Sequence, residues 1–97
     1  MAPAGSLGGT WALSVLGVRA PVGVRWTAPH SAHVSITVYD VRGRRIRALY
    51  DADPGAGANE LSWNGLDTRG VSVPRGIYVL QLRSGAVVRR HKFVVTP

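Results

Sequence analysis

The fold is decided by VSITVYDVRGRRIRALY, residues 34–50, which has the pattern of a single β-hairpin. In its first half, apolar residues alternate with Ser35, Thr37 and Tyr39, which predicts a strand with one apolar face. Residues 40–43, DVRG, then place Asp first and Gly fourth, as a type I turn prefers. The chain is therefore expected to reverse direction at this point.

The returning strand, residues 44–50, is predicted to be amphipathic. Alternation places its apolar residues on one side and its arginines on the other: Ile46, Ala48 and Tyr50 against Arg45 and Arg47. Leu49 interrupts the pattern. A hairpin with an apolar face needs a second layer to cover it.

Five more apolar runs, separated by turn-forming residues, predict strands at 11–18, 22–27, 59–63, 77–83 and 86–96. Ser84-Gly85 is expected to form the last hairpin turn. No segment shows helical periodicity, so the pattern predicts a β-sandwich or small barrel with two antiparallel sheets. We expect the inner faces to hold Val24, Trp26, Ile36, Val38, Leu61, Trp63, Tyr78, Leu80, Leu82 and Phe93.

The 97-residue chain has room for one domain. Residues 1–10, rich in Gly, Ala and Pro, are predicted to be a flexible lead-in, with the folded domain over 11–97. No apolar run approaches the roughly 20 residues that span a bilayer. The first residues also lack the basic start and apolar stretch of a signal peptide, so we expect any export address to lie outside this chain.

The chain is strongly basic, with a net charge of +7 and a pI near 11.4. Such a charge makes nucleic acid or anionic glycan a partner to consider. Eleven of the twelve cations are arginines spread along the chain, however, which favours an ordinary solvated surface. The absence of cysteine excludes disulfides, thiolate nucleophiles and cysteine zinc sites.

Two ordered blocks resemble the Ig-like family that includes the hook-capping protein's Ig-like domain and the C-terminal sorting domains of bacterial exported proteins. The first block is the hairpin, and the second runs from Trp63 to Tyr78 and is followed by a basic and apolar closing strand. The matching residues are Tyr39, Asp40, Gly43, Arg44, Ile46 and Leu49, then Trp63, Gly65, Asp67, Gly70, Val73, Gly76 and Tyr78, then Lys92 to Val95.

This resemblance implies an all-β, Ig-like β-sandwich of about seven antiparallel strands. It also implies a non-enzymatic, secreted or surface-exposed bacterial module that serves secretion or sorting, surface attachment or extracellular assembly. The implied partners are a parent polypeptide, neighbouring subunits, or secretion and cell-surface machinery. The family has no catalytic residues or cofactor to transfer to this chain.

The residues themselves predict no catalytic, metal or cofactor site. His30, His33 and His91 show no ligand spacing, and Asp40 and Asp67 each begin a D-x-x-G turn. Two less favoured hypotheses remain. One is a cation held by Asp51 and Asp53. The other is an isopeptide bond between Lys92 and an Asn or Asp beside a buried acid, for which Asn59 and Glu60 are the nearest residue types in the sequence pattern.

Seven cations are candidate contacts for an anionic partner, because they form the densest charge: Arg42, Arg44, Arg45, Arg47, Arg89, Arg90 and Lys92. The alternative, which we prefer, is that these cations protect edge strands from aggregation. Nucleic acid is not expected as the partner, because no aromatic residue is interleaved in the hairpin tip and no recognition helix exists.

The beginning of the domain admits two interpretations. Trp11, Leu13 and Val15 form either the first strand of the chain's own sandwich, which we prefer, or an assembly arm that adds to a neighbour's open edge. The first predicts a monomeric module, and the second predicts the subunit of an extracellular fibre.

Overall fold

Seven strands in two antiparallel sheets make up residues 10–96, which are the residues that the structure, a computed structural model, describes. The sheet orders are β1-β2-β5 and β4-β3-β6-β7. The predicted all-β sandwich is thereby confirmed, whereas most of the predicted lead-in, residues 1–9, lies outside the described residues. The strands are β1 (Ala12–Leu16), β2 (Val22–Ala28), β3 (Val34–Asp40), β4 (Arg45–Ala52), β5 (Gly57–Trp63), β6 (Gly76–Ser84) and β7 (Val87–Val95).

The core lies between the two sheets and contains nine of the ten predicted residues. Leu61 is the exception: it is only partly buried, because β5 pairs with β2 alone and forms an edge of its sheet. Val22, Val34 and Val95 complete the buried cluster. Within residues 10–96 no helix is long and apolar enough to cross a membrane.

The two D-x-x-G segments form matching turns, as predicted. Asp40 Oδ1 accepts hydrogen bonds from the backbone N–H groups of Arg42 and Arg44, both at 2.9 Å. Asp67 Oδ1 accepts the equivalent pair from Arg69 at 2.8 Å and Val71 at 3.0 Å. Each turn closes on a glycine with positive φ, a conformation that glycine adopts without steric cost.

These hydrogen bonds make both turns sensitive to acid. The backbone N–H of Arg44 is the main cause that lowers the pKa of Asp40, and that of Val71 does the same for Asp67. Because each folded pKa lies below the ordinary value of 3.8, the unfolded chain binds more protons in this range. The turns therefore stabilise the fold above that value and lose this contribution as the pH falls through the folded pKa.

We expect the urea midpoint of unfolding to decrease as the pH is lowered past 3.8. The variant Asp40→Asn/Asp67→Asn keeps the acceptor oxygens but cannot titrate, so its midpoint should depend less on pH. A matched control, Asp51→Asn/Glu60→Gln, removes two carboxylates that hold no such turn. If the control flattens the profile as much as the turn variant, the dependence comes from net charge rather than from the turns.

Strand β4 departs from the predicted alternation. Its pairing with β3 shifts register twice, between Ile36 and Thr37 and between Val38 and Tyr39, so that Leu49 and Ile46 are extra, bulged residues. Both pack against the core, whereas Ala48 is exposed. The prediction that Ala48 shares the apolar side is wrong, because each bulge reverses the side on which the following residues lie.

One predicted turn lies one residue later in the structure. The last hairpin turn consists of Gly85 and Ala86 rather than Ser84 and Gly85, with Ser84 still paired to Val87. Gly85 has a φ of 56°, as the first position of a type II′ turn requires. Ser84 is buried and donates to the backbone oxygen of His33 at 2.7 Å, which explains why it belongs to the strand.

The chain after β1 closes one edge of the sandwich. Val18 O accepts a hydrogen bond of 2.7 Å from Thr96 N, and Arg19 forms a parallel bridge with Thr96. On the opposite edge, Thr68 donates to Ile46 O through both its N–H, at 3.1 Å, and its hydroxyl, at 3.0 Å. The segment 64–75 thereby covers the beginning of β4 and protects it from pairing with another chain.

Candidate interaction surface

The histidines occupy three different settings. His30 lies after β2 with its ring centroid 5.9 Å from that of Trp11. His33 hydrogen-bonds Asp51, and His91 lies in β7 opposite Leu80. Among the described residues, no three His, Asp or Glu side chains lie together as metal ligands would.

The two acids of the cation hypothesis have separate structural partners. Asp53 accepts hydrogen bonds from Ser31 Oγ at 2.6 Å and from the N–H groups of Gly55 at 2.8 Å and Ala32 at 3.3 Å. The Ser31 hydroxyl is the largest cause that lowers the pKa of Asp53. Asp51 lies in β4 and contacts His33, so the two carboxylates are engaged with different partners.

The isopeptide hypothesis requires groups that the fold separates. Lys92 pairs with Val79 in the four-stranded sheet, whereas Asn59 and Glu60 lie in β5 of the other sheet. Glu60 instead forms an exposed ion pair with Arg25 at 3.4 Å. The structure does not bring the three residues of that chemistry together.

The arginines of the hairpin tip divide between structural and free positions. Arg44 Nε donates to Asp40 Oδ2 at 3.1 Å, and Arg47 Nη1 donates to Asp67 O at 2.8 Å. Arg47 is half-buried and fastens the segment 64–75 to β4. Arg42 and Arg45 are exposed and have no ion pair within residues 10–96.

The three cations of β7 also lie in different positions. Arg89 lies opposite Leu82 in register, on the side of the sheet that faces the core layer, and donates to Val88 O at 3.0 Å. Arg90 and Lys92 have the opposite parity and lie on the outer side. Arg90 Nε donates to Gln81 Oε1 at 3.0 Å, which lays its side chain across β6.

Register brings residues from both basic segments onto one surface. Arg45 pairs with Tyr39, Tyr39 with Val79, and Val79 with Lys92, so the four form one row across the outer side of the sheet. The next row runs from Thr37 through Gln81 to Arg90. We call this surface the Tyr39 face, and its members are Thr37, Tyr39, Arg45, Val79, Gln81, Arg90 and Lys92.

The Tyr39 face is open at its centre and apolar at one end. A depression of about 360 Å³ is lined by Tyr39, Asp40, Val41, Gly43, Val79, Gln81 and Arg90. Val41, Ile77 and Val94 are exposed by 65%, 46% and 45% respectively, and Ile77 and Val94 form the next row of the same side. Sequence reasoning missed Tyr39, Val79 and Gln81, because their role appears only when β3 and β6 are placed side by side.

The residues of the candidate assembly arm lie in β1 or next to it. Leu13 pairs with Trp26 and Val15 with Val24, so β1 adds to β2 of its own chain. Trp11, Leu13 and Val15 are partly buried and pack against the core.

The comparisons with known proteins agree with this architecture. The family model of the FlgD Ig-like domain matches residues 11–89. A crystal structure of FlgD from P. aeruginosa is similar with a TM-score of 0.60 and 22% identity, over 74% of this chain and 57% of that one. No curated protein matches.

A second solved structure places the same fold within a larger protein. PorZ, described as an essential bacterial surface component of the type-IX secretion system of Porphyromonas gingivalis, is similar with a TM-score of 0.56 and 24% identity. The match covers 99% of this chain and 12% of PorZ. At these identities the two structures show the fold alone, whereas the family model matches most of the chain: this protein belongs to the FlgD Ig-like domain family.

Proposed function

We propose that the chain is a non-enzymatic module of an exported bacterial protein, and that it serves secretion or sorting, surface attachment or extracellular assembly through contacts with other proteins. The observation that carries the proposal is the match of residues 11–89 to the FlgD Ig-like domain. The likeness to a small part of PorZ, itself described as a bacterial surface component, supports a module that works within a larger polypeptide.

The polar side chains support the same proposal. Asp40, Asp53 and Asp67 use their carboxylates to hold turns and loops, and Arg47 fastens a loop. Catalysis needs a nucleophile or general base positioned beside an orienting group in a pocket. Among the described residues, Asp40, Asp53 and Asp67 use their carboxylates for structure instead.

External protease tests the proposed location. Antibodies raised against the purified chain should detect the native gene product at the cell surface or in the medium, so protease added to intact cells should remove the signal while a cytoplasmic marker survives. Deleting codons 11–96 in frame should keep the rest of the gene product from its surface or secreted destination. The proposal would be contradicted if the antibody signal, like the cytoplasmic marker, resisted the protease until the cells were lysed.

A fibre subunit joined by strand addition is a second candidate function. It is favoured by the position of β1, which is the shortest of the seven strands, lies at a sheet edge and is followed by Gly17 with a φ of 89°. Such a strand can leave its sheet at lower cost than a central one. The truncation described in the Discussion separates this candidate from the self-contained module.

A further inference from the structure

Two basic segments that lie about forty-five residues apart along the chain meet on the Tyr39 face. Arg45 comes from β4, and Arg90 and Lys92 come from β7 at the other edge of the same sheet. Three interstrand spacings separate Arg45 from Lys92, a distance of about 14 Å between backbones. Cations therefore flank the sheet on both sides of a central strip formed by β3 and β6.

The central strip has the chemistry of a protein interface. Tyr39 and Val79 are half-buried neighbours at its middle, and Ile77 and Val94 extend it with exposed aliphatic surface. An apolar centre within a polar, charged rim is the usual anatomy of protein interfaces, where Tyr and Arg are enriched. The hydrogen bond from Arg90 to Gln81 holds that guanidinium in place before any partner arrives, which lowers the entropy lost on binding.

Carboxylates are nearly absent from this side of the sheet. Among the described residues, Asp51 lies on it at the far end, in register with Ser35, and it contacts His33. Asp40 also lines the depression, but its oxygens accept three hydrogen bonds from Arg42 and Arg44 of its own turn. The electrostatic potential over the centre of the face is therefore positive and is determined by Arg45, Arg90 and Lys92.

We propose that the Tyr39 face docks an acidic surface of another protein, which presents carboxylates about 14 Å apart on either side of an apolar or aromatic side chain. The apolar side chain enters the depression beside Tyr39, and the carboxylates pair with Arg45 on one side and with Arg90 and Lys92 on the other. This inference rests on the proposed function and names the kind of partner that the module contacts.

Charge and shape favour this occupant over the alternatives. A second copy of the chain would bring equal cations face to face, which repel each other. Nucleic acid and anionic glycans would use the cations but leave the exposed Val41, Ile77 and Val94 without apolar contacts. Strong binding of single-stranded nucleic acid also requires several stacking aromatic rings, whereas this face has one.

Selection from a phage-displayed library of random peptides tests the proposal. The wild-type chain is the bait, and the three exposed-face variants Tyr39→Ser, Arg45→Gln/Lys92→Gln and their combination are compared with it. Selected peptides should combine Asp or Glu with an apolar or aromatic residue. Their affinity should decrease about tenfold in the tyrosine variant and at least as much in the double variant.

The matched control is Arg19→Gln/Arg25→Gln, which removes the same charge from exposed positions outside the Tyr39 face. Its affinity for the selected peptides should stay within about twofold of wild type. Circular dichroism of each variant checks that the sandwich is intact. Equal losses in the control and the face variants, no effect of Tyr39→Ser, or failure to select acidic peptides would each overturn the proposal.

A test in cells distinguishes a failure of the docking proposal from a failure of the proposed function on which it rests. The combined face variant should have the same effect as deletion of codons 11–96: the gene product should lose its surface or secreted location, or its assembly. If the deletion has its effect and the folded face variant has none, the Tyr39 face is not the docking surface and the proposed function stands. If the gene product is found in the cytoplasm, the proposed function fails irrespective of the peptide result.

Discussion

Replacing Trp63 with alanine is expected to lower the free energy of unfolding by about 3–5 kcal/mol. Trp63 is 2% exposed, and its ring centroid lies 6.1 Å from those of both Tyr78 and Phe93. Its Nε1–H also donates to Leu66 O at 3.0 Å, which fastens the segment 64–75 to the core. Small domains have total stabilities of about 5–15 kcal/mol, so this loss is a large share of the total and should clearly lower the denaturant midpoint.

Denaturant unfolding followed by circular dichroism measures this loss of free energy. Two Trp→Phe variants show how much of it comes from the hydrogen bond. Trp26 is also 2% exposed, but its Nε1–H has no hydrogen-bond partner among residues 10–96. Both Trp→Phe changes remove a similar volume, whereas only Trp63→Phe removes a hydrogen bond. Trp63→Phe should therefore cost about 1 kcal/mol more than Trp26→Phe; the reverse order would mean that the Leu66 contact contributes nothing.

Removing residues 1–18 is expected to unfold the chain or cause it to aggregate. The deletion takes Trp11, Leu13 and Val15 from the core, at roughly 1–2 kcal/mol for each partly buried side chain. It also removes the backbone partners of β2 along one of its two sides and the Val18 oxygen that accepts a hydrogen bond from Thr96 N. Trp26 and Val24 would then lie under an open edge, with unpaired backbone groups that accept strands from other chains.

Removal of residues 1–9 is the matched control for this truncation, because it leaves the whole of β1 in place. The shorter deletion should unfold at the same temperature as the full chain, whereas the longer one should show no cooperative transition. Calorimetry of the three proteins makes the comparison. If the chain lacking residues 1–18 were as stable as the full chain, β1 would not be needed for the fold.

The local parts of this fold could be predicted from the sequence because their signals are local. Alternation in residues 34–40 gives the buried face of β3, and the Asp and Gly of both D-x-x-G segments correspond to observed hydrogen bonds and φ angles. A bulge breaks this reasoning, since one extra residue reverses the alternation. The interruption at Leu49 was the available signal, and it marks one of the two bulges.

The interaction surface depends on information that alternation does not contain. Strand β3 lies beside β6, forty residues later in the chain, and only this neighbour relation puts Tyr39 next to Val79. From the sequence, the densest cations can therefore be grouped only by their position along the chain. In three dimensions Arg47 and Arg89 separate from Arg45, Arg90 and Lys92. The domain boundary at residue 10 stays a prediction.

The central claim is that one chain supplies all seven strands of its own sandwich. Light scattering of the full chain over a range of concentrations, with negative-stain microscopy of the same samples, tests this claim most directly. The claim predicts a molar mass equal to the 10.3 kDa monomer at every concentration and no ordered polymer. Filaments of the full chain that disappear in a still-folded chain lacking residues 1–18 would contradict it, because β1 would then belong to the neighbouring subunit.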